Sequence, residues 1–319
     1  MCYLFPNTGL PRPTKNVGLA MTTARAQQGV AIIMALFIMA LVAGLAYAMM
    51  ARLSRDTYRA QLILNNTQAE LYAQGALLWA KDQLQKNWQT RQAEHSVDVT
   101  PIHSPVDDMQ GYTIKSIIYD MQGRFNLNSL VNAEAQTDFQ RLLMTVIPEI
   151  SADRAQSIVQ RTVEWVTPGI RQSLQDTAAH RAMTSVGELR FVKGMTANWY
   201  AKLSPYLAAF PEVSTPINVQ SAPAPVLMLL GPKMTLEVAR ALEVYRQATP
   251  FITIERFLNA DIVKNHNIPN QKATVISHYF LLETQVDVEK QRVVLYTLLQ
   301  REIKKNKAVI HILWQSKNR

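Results

Sequence analysis

The chain has 319 residues, 48% of them hydrophobic, and a formal net charge of +9. That length suits about two domains with a substantial core. Cys2 is the only cysteine, which excludes an internal disulfide framework and thiolate metal sites.

The first element organises the rest. An uncharged run extends from Gly29 to Met50. At about 1.5 Å per residue it is long enough to cross a hydrocarbon core of about 30 Å. No proline occurs between Pro13 and Pro101, so nothing forces a break. The pattern predicts one helix from Val30 to about Gln92, roughly 90 Å long. Residues 30–50 are its membrane-buried part, and residues 51–92 lie outside the membrane. Arg12, Lys15 and Arg25 precede the apolar run, and Arg52, Arg55 and Arg59 follow it. Flanking charge therefore does not orient it.

The junction Arg25-Ala26-Gln27-Gln28-Gly29 is short, polar and basic, and it ends in glycine. It resembles the type IV prepilin signal. The resemblance implies cleavage between Gly29 and Val30 by prepilin peptidase, with N-methylation of Val30. Residues 1–29 are then a leader, with translation starting at Met1 or at Met21. Most pilins carry glutamate at the fifth mature position, which here is Met34. Two other readings share the stretch. Ala46-Tyr47-Ala48 resembles a signal-peptidase site, although the apolar run before it exceeds an ordinary h-region. An uncleaved anchor is the third.

Beyond the run, Leu64, Leu71, Leu78 and Leu84, with Ala73, Ala76 and Ala80 between, have near-helical spacing and suggest one apolar face. Trp79 and Trp88 are expected to seat that face on a sheet. Pro101 and Pro105 mark a loop. Tyr112–Tyr119 alternates and is rich in β-branched residues, as a strand should be. From Asn128 to about Thr274 the pattern is helical. Candidate helices are Ala133–Val146, Asp153–Trp165, Val186–Phe191, Thr196–Tyr206, Ala224–Leu230, Thr235–Tyr245 and Ile254–Leu258. Asn126, Asn128 and Ser129 are placed to cap the first, and Ile217–Ser221 to cap the Ala224 helix. Leu189–Thr196 and Leu227–Thr235 echo each other as helix-hairpin-helix-like units turning at Gly194 and Gly231. Three further strands follow: Tyr279–Val288, Arg292–Leu299 and Val309–Trp314. The basic cluster Arg301, Lys304, Lys305 and Lys307 reads as a solvated rim.

One strand, then helices, then strands indicates an α+β fold carrying a helical insertion. The β domain takes residues 93–127 and 275–319, and the inserted α-helical domain takes 128–274.

No catalytic constellation emerges. The six histidines form no i,i+4 pair, and no phosphate loop or nucleophile elbow is present. Calcium needs six to eight oxygen ligands. Asp176 is the only acid between Trp165 and Ser185, and Asp107-Asp108 is an isolated pair. No cofactor is expected. Lys193 and Lys233 in the hairpin turns raise a nucleic-acid alternative, a membrane-anchored protein of DNA-uptake type. The packing role of the hairpins is the simpler expectation.

Several stretches together resemble the general secretion pathway protein K family, a minor pseudopilin of the type II secretion system. They are Gly29 with its acid-free apolar run, Asp120–Asn128, Ser185–Tyr206, Pro216–Leu227 and the final strands from Tyr279. The resemblance implies a pilin-like fold: a long N-terminal helix, a small antiparallel sheet and a large inserted all-α domain. It implies a non-enzymatic protein of the inner membrane, single-pass, with its bulk in the periplasm, that nucleates and caps the pseudopilus tip during protein export. Its implied partners are minor pseudopilins I and J, further pseudopilins beneath, and prepilin peptidase, with contact to secreted proteins as a further expectation. Family members often bind calcium in an acidic loop after the Trp165 equivalent. Val166–Gln172 and its continuation lack those acids, so calcium is not expected there.

Overall fold

The computed structural model describes residues 21–94, 96–98, 100–109, 111–169, 178–288 and 291–317. The chain divides into two units, Met1–Leu64 and Asn65–Arg319. Helix α1, Met21–Glu94, runs through the boundary. It starts earlier than the expected Val30. Thr22 to Gln28 are compatible with helix, and one glycine at Gly29 costs only about 1 kcal/mol. In the first unit, residues 29–50 are all exposed, and the helix is long and apolar enough to cross a membrane.

In the second unit β1 (Ile102–His103), β2 (Asp107–Met109) and β3 (Tyr112–Asp120) come first. The helical part follows. Short strand β4 (Phe125–Asn126) leads through a 3-10 turn at Leu127–Val131 into α2 (Ala133–Val146) and α3 (Ala152–Val166). Then come α4 (Ala197–Leu203), β5 (Leu207–Ala208), β6 (Ile217–Asn218), α5 (Ala224–Leu227), α6 (Leu236–Ala248), α7 (Ile254–Leu258) and β7 (Ala273–Thr274). Side-chain caps start four of these helices: Ser151 for α3, Thr196 for α4, Thr235 for α6 and Thr253 for α7. Each satisfies a first-turn N–H that has no intrahelical partner. The helices close around a core that includes Phe139, Leu142, Ile158, Leu227 and Phe257. Phe125 stacks on Phe139 with ring centres 5.6 Å apart.

Strands β8 (Tyr279–Val288), β9 (Gln291–Lys304) and β10 (Lys307–Ser316) complete the sheet. Its order is β1-β3-β8-β9-β10, with β2 also paired to β3, all antiparallel. Lys305 and Asn306 join β9 to β10 with φ values of 48° and 66°. Two positive φ values suit the twist of a two-residue hairpin. Side chains alternate across the strands. Phe280, Leu282, Leu299 and Ile310 meet Ala80, Leu84 and Trp88 of α1. Tyr279, Leu281 and Leu298, on the opposite face, meet Ala208 and Phe210 from the helical part.

Two expectations are corrected here. The face of α1 on the sheet is its alanine face: Ala69, Ala73, Ala76 and Ala80 are buried, continued by Leu84 and Trp88. Leu64, Leu71 and Leu78 point away and are exposed. The facing sheet residues are large, and small helix residues accommodate them. Arg301 is no rim residue either; it is 0% exposed. It faces α1 from the end of β9, while Lys304, Lys305 and Lys307 are exposed.

This close approach yields a first prediction. Ala80→Leu should destabilise the second unit by about 1–3 kcal/mol through overpacking, read from denaturant unfolding. The exposed Leu78→Ala should change stability by no more than about 0.5 kcal/mol.

Candidate functional site

In the first unit the residues expected at the processing site lie on an open helix. Val30 is 58% exposed and Met34 65% exposed. No heavy atom lies within 4 Å of a Cβ built on Gly29, apart from its neighbours and the helix backbone. Every residue from Gly29 to Met50 is uncharged. The helix therefore presents an apolar surface without a carboxylate.

In the second unit the polar chemistry concentrates where the chain leaves the sheet for the helical part and returns. Asp120 ends β3. Its Oδ2 accepts hydrogen bonds from Ser221 Oγ at 2.5 Å, Ser277 Oγ at 2.6 Å and Asn218 Nδ2 at 2.8 Å. Its Oδ1 accepts from the Gln122 N–H at 2.8 Å. Gln122 continues the clamp, donating to Pro216 O and accepting from the His278 N–H. Departing, middle and returning segments are thus tied at one carboxylate. Burial pushes the Asp120 carboxyl above the ordinary aspartate value, and the bonds from Ser221, Ser277 and Gln122 oppose that.

Beside the clamp, Arg301 makes a fork-to-fork pair with Asp98, at 3.2 Å from Nη1 and 2.5 Å from Nη2. Its Nε and Nη2 also donate to Ser277 O at 3.1 and 2.7 Å. The guanidinium lies over Trp88 and Phe280, 5.2 and 4.8 Å from their ring centres. Trp88 in turn donates from Nε1 to Asn306 O in the β9–β10 turn. One cation thereby joins α1, the segment after it, the sheet and the root of the helical part.

Other expected residues fall elsewhere. Ile217–Ser221 does not cap α5; its N-cap is Pro223, which makes no side-chain cap bond. Asn218 and Ser221 are drawn to Asp120 instead. Asn126 caps the 3-10 turn, accepting from the Asn128 N–H, and not α2, whose N-cap Asn132 makes no side-chain cap bond. Asn128 is buried and binds the backbones of Met183 and Phe210.

The two hairpin units differ. Gly194 takes φ 98°, which favours glycine. Gly231 is extended, and a Cβ there would lie 2.6 Å from His266 O, so close approach demands it. Lys193 and Lys233 are both exposed, and threonine caps occupy the following helix starts. Asp176 lies outside the described residues. Asp107 and Asp108 sit in β2. Among the described residues no three His, Cys, Asp or Glu side chains are grouped to hold a metal.

The sequence matches the family described as "Type II secretion system (T2SS), protein K" over residues 123–212 and 217–277. It is 25% identical to Type II secretion system protein K of Pectobacterium carotovorum subsp. carotovorum, covering 82% of this chain and 89% of that protein. It is 30% identical to Type II secretion system protein K of Klebsiella pneumoniae, covering 73% of this chain and 79% of that one. The chain belongs to the type II secretion system protein K family. This is a family of minor pseudopilins, structural components of the secretion system. The fold agrees. A chain in the crystal structure of the GspK-GspI-GspJ complex from enterotoxigenic Escherichia coli superposes with a TM-score of 0.66 at 21% identity. The superposition covers 81% of this chain and 98% of that one. The matched protein K stretches start at Gly123 and end at Ser277, the two sides of the Asp120 clamp.

Proposed function

We propose that this protein K is anchored in the inner membrane by α1, with its bulk in the periplasm, and caps the tip of the pseudopilus. Prepilin peptidase cuts between Gly29 and Val30 and methylates Val30. Minor pseudopilins I and J join it, and further pseudopilins follow beneath. The role is structural and non-enzymatic.

One observation carries this reading: the apolar helix surface from Gly29 to Met50 has Met34 where a glutamate stands in most pilins. A buried carboxylate or ammonium needs an opposite partner. In ordinary pilins the fifth-position glutamate of an incoming subunit meets the N-terminal amine of the subunit above. A topmost subunit has no amine above it, and a methionine leaves no carboxylate stranded. The exposed Leu71 and Leu78 support assembly further. They offer neighbouring helices an apolar surface on the side of α1 that the sheet does not use. The superposed chain belongs to a crystal structure of a GspK-GspI-GspJ complex, which favours the same partners here.

Two experiments test the reading. Mass spectrometry of the processed chain should find an N-terminal N-methyl-Val30. A start at Met49 would point to ordinary signal-peptide processing. Met34→Glu should lower the yield of a co-purified complex with I and J by about tenfold, the equivalent of about 1.4 kcal/mol. An unchanged yield would argue against a tip position.

A further inference from the structure

A second arginine stands beside the Asp98–Arg301 pair, and among the described residues it has no counterion of its own. Arg91, in the last turn of α1, is only 9% exposed. Its Nη2 donates to Ile252 O at 3.3 Å, and its Nη1, closed off from solvent, has no hydrogen-bond partner among the described residues. Asp98 is the carboxylate that acts on it, yet both Asp98 oxygens are held by Arg301. Two buried guanidinium groups therefore share one aspartate. Arg91 lines a cleft of about 570 Å³ together with the polar Thr253, Asn270 and Gln271 and the apolar Ile252, Ile254 and Val275. No aspartate or glutamate is among the lining residues.

A buried cation without a partner is costly, and a fork-shaped guanidinium recognises a carboxylate through two parallel bonds. The cleft is within the size range of ligand sites, and its lining mixes apolar surface with a few polar groups, as such sites do. Without residues 1–29, which hold three basic and no acidic residues, the chain keeps a net charge of 9 − 3 = +6, a field that attracts acidic partners. We infer that this cleft is a docking site for an acidic peptide segment, with a glutamate or aspartate side chain seated on Arg91 and adjacent apolar side chains on Ile252, Ile254 and Val275. The inference is independent of the tip assignment, because it needs only the second unit's own geometry.

The test uses the full chain in detergent micelles and isothermal titration calorimetry. The probe is an N-acetylated, C-amidated hexapeptide with one glutamate flanked by isoleucines. The glutamate peptide should bind at least tenfold more tightly than its glutamine counterpart. Sodium acetate at the same concentration should not compete, because it lacks the apolar flanks. Arg91→Gln should abolish the preference, while Arg91→Lys, which keeps the charge, should retain part of it. The thermal midpoint of Arg91→Gln should equal or exceed that of the parent, because an uncompensated cation has been removed. Equal affinity for the two peptides, or a preference that survives Arg91→Gln, overturns the proposal. So does a variant that melts well below the parent or fails to fold, since Arg91 would then be a structural brace.

Discussion

Arg301→Met should cost the second unit about 3–5 kcal/mol, because it leaves Asp98 buried without the guanidinium that hydrogen-bonds both of its oxygens, and Arg91 nearby makes no bond to it. That is a large share of the 5–15 kcal/mol typical of a folded domain. For a unit of this size it corresponds to a fall in melting temperature of about 10 °C. The loss has three physical parts. Asp98 keeps its desolvation cost without its partner. Ser277 O loses both of its guanidinium donors. Trp88 and Phe280 lose the cation between them. Asp98→Asn should be destabilising too. The double variant Asp98→Asn/Arg301→Met should cost less than the sum of the two, since each single change strands the other partner. Additive losses, measured by urea unfolding, would show that the pair does not act as a unit.

Asp120→Ala should cost about 2–4 kcal/mol, because it removes the acceptor shared by Asn218, Ser221, Ser277 and the Gln122 N–H. Its signature should be local as well as global. Hydrogen exchange should accelerate in residues 216–221 and 274–278 more than in the β8–β9 ladder. The same carboxyl predicts a pH dependence. Burial raises its folded value above the ordinary 3.8. The native state then binds the proton more tightly than the unfolded chain, so its contribution to stability falls as pH rises through that window. Compared with Asp120→Asn, the parent should therefore gain stability as pH is lowered from neutral toward 3.8, with no further gain below it. A parent that loses ground over that range would contradict the assignment.

Much of this architecture could be read from residue order alone. The long helix followed from an uninterrupted proline-free run. The strands followed from alternation in Tyr112–Tyr119 and Tyr279–Val288; the structure adds Asp120 to the first and keeps the bounds of the second. Failures came where side chains answered to distant partners. Arg301 looked solvated because its neighbours Lys304 and Lys305 are; its true partner, Asp98, is 203 residues away. Asn218 and Ser221 carried a local capping pattern, yet Asp120 draws both from across the fold. The leucine spacing on α1 suggested a buried face, but alanines fit the bulky sheet surface better; Leu84 is buried with them, while Leu71 and Leu78 are exposed. Gly194 and Gly231 looked alike in sequence, while one serves a turn and the other a close backbone approach.

The most direct test of the tip assignment is to count this chain along isolated pseudopili. A gold-labelled copy, imaged by electron microscopy on filaments assembled with all their subunits, should appear once per filament and at one end. Label distributed along the shaft, with subunits above and below it, would contradict the account.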